Sequence, residues 1–152
     1  MIVADTSPVD RGVPTATYRL QVQASFGFDD VGALAAYLAD LGVSHAYLSP
    51  VLQAAPGSTH GYDVLDHARL SDDAGGRPAF DAMVAALHDR TLGVVVDIVP
   101  NHMTVPEPEH LNAPLWSMLR EGRESAYAAW FDVDWDAAGD RIVIPVLGGH
   151  HH

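Results

Sequence analysis

The chain has 152 residues, 48% of them hydrophobic, enough for one domain of common size with a real core. Its 20 acidic residues outnumber 8 basic ones, and the net charge of −12 argues against nucleic acid or an anionic membrane as partner, because phosphates would go unneutralised. Cysteine is absent, which excludes disulfides and thiolate metal sites, and no apolar run approaches the about 20 residues of a membrane span.

Met1–Pro8 has neither the basic region nor the apolar run of a signal peptide, so a cytoplasmic location is expected. Residues 1–14, with Pro8, Gly12 and Pro14, read as an extended lead-in. Thr15–Val22 alternates, with Ala16, Tyr18, Leu20 and Val22 on one face, and predicts a strand. Asp29 and Asp30 can cap a helix that carries Val31, Leu34, Leu38 and Leu41 and stops at Gly42. Val43–Leu48 predicts a second strand, and 50–76 a long loop. Pro78 suits the first turn of a helix striped by Phe80, Met83, Val84 and Leu87. Leu92–Val99 is apolar on both faces, as in a parallel strand buried from two sides. Strand–helix alternation of this kind predicts an α/β fold with parallel crossovers. A third helix is expected over Pro114–Arg120, and a last strand over Arg141–Leu147. The terminal Gly148-Gly149-His150-His151-His152 reads as a purification tag.

Two places carry unusual chemistry. The first is the loop Gly57-Ser-Thr-His-Gly-Tyr-Asp-Val-Leu-Asp-His67. Its His60, Asp63, Asp66 and His67 could join Asp97 or His102 around zinc, manganese or iron, although no compact ligand spacing is present. The same groups could instead bind a sugar. Tyr62 would offer a flat face to a pyranose, and the Asp and His side chains would hold its hydroxyls. A plain structured loop is the third reading, and the residues alone leave all three open. The second place is Asp97, a carboxylate in an apolar strand, followed by Asn101 and His102. Burying a charge is costly unless it is paired, and ligands of parallel α/β folds bind at the carboxyl ends of strands. The competing reading is an aspartate that only ties down its own loop. Trp116, Trp130 and Trp135 are candidate sugar platforms, with Trp116 expected in the core of its helix.

Asp97-Ile-Val-Pro-Asn-His102 and His60-Gly-Tyr-Asp-Val-Leu-Asp66 resemble signature regions of the α-amylase superfamily after the third and second strands of its barrel. Within that superfamily the chain is similar to the maltooligosyltrehalose synthases. The resemblance rests on Ala16-Thr-Tyr-Arg-Leu-Gln21, on Tyr47–Leu52 with Pro56–Asp63, and on Phe131–Trp135 with Ile144–Gly148. It implies the N-terminal part of a (β/α)8 TIM barrel, with the first βα units over 15–105 and the start of an inserted domain over 106–148, which leaves 149–152 as the tag. It implies an isomerase of the intramolecular transglucosylase kind, acting in trehalose biosynthesis. Such an enzyme converts the reducing-end α-1,4 linkage of a maltooligosaccharide to α,α-1,1 by retaining chemistry, without a cofactor or metal.

Carried over, the resemblance makes His60, Tyr62, Asp97 and His102 substrate-binding residues, with Asp97 paired to an arginine, and Asp63, Asp66 and Asn101 structural supports. The family's nucleophile and acid/base follow later strands and are expected beyond this chain, so it reads as a catalytically inert fragment. Its partners would be the maltooligosaccharide, the remainder of the barrel and, through an open sheet edge, other copies of itself. A non-catalytic maltooligosaccharide-binding module and a His/Asp metal hydrolase are the alternatives. Thr91 stands where the family tends to have glycine, so the preceding helix end should be altered or strained.

Overall fold

The computed structural model describes residues 12–136, 139 and 141–143. The chain divides into two compact units, Met1–Met103 and Thr104–His152.

The first unit is built on a parallel sheet. Strand β1 (Thr17–Leu20) leads through α1 (Phe28–Ala33) and α2 (Ala35–Asp40) to β2 (His45–Leu48). A short antiparallel pair follows, β3 (Leu52–Ala54) with β4 (Val64–Leu70), then α3 (Gly76–Asp89) and β5 (Gly93–Val96). The three parallel strands lie in the order β1-β2-β5. Their register sets Leu20 beside Leu48 and Val96, and Arg19 beside Tyr47 and Val95. Because successive side chains point to opposite faces, these are two different rows. The first row packs under the helices with Phe28, Val31, Leu38, Met83 and Leu87. Phe28 meets Phe80 edge to face at 5.2 Å. Each fully buried side chain of this kind contributes about 1.5–3 kcal/mol of transfer free energy. The second row, Arg19–Tyr47–Val95, lies on the opposite face. The ladder runs one step further, with Asp97 N–H donating to the Leu48 carbonyl at 2.9 Å, so Asp97 joins the Arg19 face.

Several expectations need correction. The single helix from Asp29 is two short helices broken at Leu34. Gly32, where α1 comes within van der Waals reach of Met83, supplies little helix propensity just before the break. The N-cap is Gly27, and the Asp30 carboxylate returns to accept from the Gly27 N–H at 2.8 Å. The loop over 50–76 contains β3 and β4. Their register shifts on both sides of Gln53, and β4 runs from buried Val64 and Leu65 into exposed polar residues, so no period of two marks it. The longest irregular stretch left in 50–76 is 55–63, closed at its base by Ala55 N–H donating to the Asp63 carbonyl at 3.0 Å. Val94–Val96 is half-buried on both faces rather than buried, because β5 is an outer strand of the sheet among the described residues.

Helix α3 carries its apolar stripe inward through Met83 and Leu87. It ends on Thr91 in a left-handed conformation, φ 62°, whose N–H donates to the His88 carbonyl at 2.9 Å. Beyond it, Gly93 faces His45 across the β2–β5 pair, and a Cβ on Gly93 would lie 2.2 Å from the imidazole.

The second unit holds α4 (Ala113–Glu121), flanked by single 3-10 turns at Glu109–Leu111, Gly122–Glu124 and Ala128–Trp130. Asn112 caps α4 by accepting from the Leu115 N–H at 3.1 Å, and its amide donates to the Thr104 carbonyl at 2.8 Å. Leu115 and Met118 are buried. Trp116 is 38% exposed, contrary to the core placement expected of it, with its ring beside Arg120 and His110. Arg141–Val143 has no regular structure, and the rest of the strand expected there, like residues 1–11 and the terminal histidines, lies outside the described residues.

Candidate functional site

The site forms where three segments meet beyond the ends of the parallel strands. From the strand end of β5 comes Asp97, and from the loop 55–63 comes Tyr62. The Tyr62 hydroxyl donates to Asp97 Oδ2 at 2.5 Å. From β1 comes Arg19, whose Nη2 donates to the Tyr62 hydroxyl at 2.9 Å and lies 3.4 Å from the same carboxylate oxygen. The arginine also sits over the Tyr47 ring, 5.3 Å from its centroid. Asp97 therefore has the arginine partner expected of it. Both donors use Oδ2, and no described residue donates to Oδ1. The hydrogen bond to Asp97, then partial loss of solvent and the charge of that carboxylate, hold the Tyr62 phenol above the ordinary tyrosine range, against the opposing pull of Arg19.

His60 stacks loosely on Tyr62, with ring centroids 6.0 Å apart and planes 26° from parallel. Its Nδ1 accepts from the Tyr62 N–H at 3.0 Å, which turns the two rings the same way. Gly61 between them has φ 77°, and a Cβ there would lie 2.7 Å from the Pro50 carbonyl oxygen, so only glycine fits the turn. Ser58 donates to Asp63 and accepts from the Gly61 N–H at 3.0 Å. Asp63 thus has its contacts inside the loop. Asp66 accepts from the Ala68 N–H at 2.8 Å and approaches Arg69 at 3.7 Å, on β4.

His102 is not joined to this cluster. It is exposed, and its Nδ1 lies 3.1 Å from Asn101 Oδ1. His67 turns to the Val99 carbonyl at 2.8 Å. The metal reading needed these groups to converge. His60 and Asp63 approach at 3.7 Å, but among the described residues no three His, Asp or Glu side chains are placed to hold an ion.

Arg19 and Gln21 were not singled out as site residues by sequence reasoning. Gln21 accepts from Arg19 Nη1 at 3.2 Å and donates to the carbonyls of Thr59 and His60 at 3.2 and 3.3 Å. The available signal was the alternation of β1, which places both residues opposite the apolar row.

Residues 32–137 match the catalytic domain of α-amylase. The chain belongs to the α-amylase family. Its three parallel strands are therefore part of that family's (β/α)8 barrel, at the N-terminal end of the fold. A Mycobacterium tuberculosis protein that carries the name maltooligosyl trehalose synthase is 48% identical over 138 residues, 88% of this chain. The structure of maltooligosyltrehalose synthase from Arthrobacter ramosus superimposes with a TM-score of 0.84 at 45% identity over 90% of the chain. An intracellular maltogenic amylase of Bacillus subtilis is 34% identical over 98 residues, 64% of the chain. The chain spans 18% of the length of both synthases and 15% of that of the amylase. Within this α-amylase family barrel, Asp97 and the loop residue Tyr62 bonded to it lie at the carboxyl ends of the parallel strands, the face on which such folds place their chemistry.

Proposed function

We propose that this chain supplies one sugar subsite of a maltooligosyltrehalose synthase-type isomerase, and that alone it binds maltooligosaccharide without turning it over. The observation that carries the reading is the Arg19–Tyr62–Asp97 cluster. It holds an exposed aromatic ring and an open carboxylate oxygen side by side at the strand ends. The Tyr62 ring would take the apolar face of a glucosyl unit. Asp97 Oδ1 would accept from one of its hydroxyls, and His60 and His102 would line and hydrogen-bond the same sugar.

In the intact enzyme, one carboxylate attacks the anomeric carbon while a carboxylic acid protonates the leaving oxygen. The freed glucose, kept from water, then returns through its own anomeric hydroxyl to form the α,α-1,1 linkage. Such chemistry needs two carboxyl groups about 5–5.5 Å apart across the scissile bond. Asp97 is poorly suited to be either one, since its Oδ2 is committed to Tyr62 and Arg19. Its place is to orient the sugar.

Amide NMR spectra of the chain with and without maltopentaose test this. The expected result is shifts at Tyr62 and His102 that vanish in Tyr62→Ala, with no loss of reducing ends on long incubation. A spectrum indifferent to the sugar would end the subsite reading, and turnover would end the claim that the isolated chain is inert.

A further inference from the structure

We propose that β1 acts as a clamp on the sugar-facing loop, with Arg19 and Gln21 as positioning residues for Tyr62 and His60. This rests on the subsite reading for its purpose but on geometry for its existence. Arg19 lies on β1 and Gln21 one residue past its end, and their separation of two residues sends both side chains to the same face. Arg19 Nη1 donates to Gln21 Oε1 at 3.2 Å, which settles which end of the amide points away. The Gln21 Nε2 group is left facing the Thr59 and His60 carbonyls at 3.2 and 3.3 Å. The reversed amide would set an oxygen against two carbonyl oxygens and an NH2 against a guanidinium, so the orientation is unique.

The second guanidinium nitrogen reaches the Tyr62 hydroxyl and Asp97. The planar fork of Arg19 therefore holds Gln21, Tyr62 and Asp97 at once, and Gln21 carries the tie on to the carbonyls of Thr59 and His60. A lysine, with a single charged point, cannot span both ends. The Tyr47 ring beneath the guanidinium restricts the fork to one layer. The loop's own bonds shape it internally through Ser58, Asp63 and the glycine turn at Gly61. The bonds from β1 fix where that shaped loop sits over the strand ends. Aromatic platforms act through placement, so a loop that drifts loses the sugar while remaining folded.

Two variants test the clamp. Gln21→Glu keeps size and the bond to Arg19 but turns an acceptor onto both carbonyls. Arg19→Lys keeps the charge and removes the fork. Each is expected to melt cooperatively near the wild-type temperature, to shift or broaden the amide signals of Thr59–Tyr62, and to weaken maltopentaose binding by about tenfold. Unmoved loop amides in both variants would overturn the clamp, whatever the sugar does. Moved loop amides with wild-type sugar affinity would overturn the positioning role. If the unaltered chain binds no maltopentaose, the subsite reading falls while moved amides in the variants still support the clamp.

Discussion

The Tyr62 hydroxyl stands between a guanidinium that donates to it and a carboxylate that accepts from it. Its proton is the one that the carboxylate holds, so the neutral phenol is favoured. With its folded value raised, the hydrogen bond stabilises the fold fully below the ordinary tyrosine value, and that contribution is lost as pH rises through the raised one. In a near-ultraviolet absorbance titration, the difference between wild type and Tyr62→Phe should ionise later than the remaining tyrosines, and Asp97→Asn should bring it back towards them. Ionisation of Tyr62 together with the others would mean that the bond to Asp97 does not form in solution. Asp97 was legible in the sequence because a carboxylate breaks an apolar strand and demands a partner. Arg19 was not, because a charged residue on the polar face of an alternating strand offers no contrast. Only the fold brings positions 19, 62 and 97 together.

At the level of elements, patterns of period 3.6 over long stretches were legible, and irregular ones were not. Helix α3 follows its stripe, while α1 and α2 share one stripe that hides the break at Leu34. The β3–β4 pair was invisible because its bulges destroy the alternation that marks a strand. The end of α3, expected to be altered or strained at Thr91, does take the left-handed conformation there. Thr91 holds φ 62°, a region that costs a side chain about 1–2 kcal/mol and a β-branched one no less. Thr91 is exposed, and its N–H bond to His88 would survive replacement. Thr91→Gly should therefore raise stability by about 1 kcal/mol and the melting temperature by about 2–4 °C. A melt at or below the wild-type temperature would count against strain at this cap.

For the whole molecule, the open question is the sheet. Among the described residues, β1 and β5 each pair with β2 alone, so both outer strands present unpaired backbone groups. Tyr18, 40% exposed, and Ile98, 65% exposed, lie on or just past these strands. Edges of this kind can recruit further strands, and in the isolated chain those of another copy are the available ones. The chain alone should show a mass above the monomer by light scattering at micromolar concentration. A monodisperse monomer would mean that the edges are protected. No helix of the described residues is long and apolar enough to cross a membrane. The parallel α/β class followed from the alternation of strand and helix patterns, whereas the order β1-β2-β5 depends on pairings that no local pattern encodes.

The close approach of Gly93 to His45 has a consequence at the other end of the sheet. Residues 91–95 read Thr-Leu-Gly-Val-Val, and only the glycine leaves room for the imidazole. Sliding β5 along β2 by one or two positions would drive a side chain into that ring, so the strand has a single admissible frame. Asp97 lies four residues further on, about 13 Å along the strand. The buried imidazole is thus the datum from which the height of the carboxylate is measured. A residue that never meets the sugar fixes the level at which the sugar would be met.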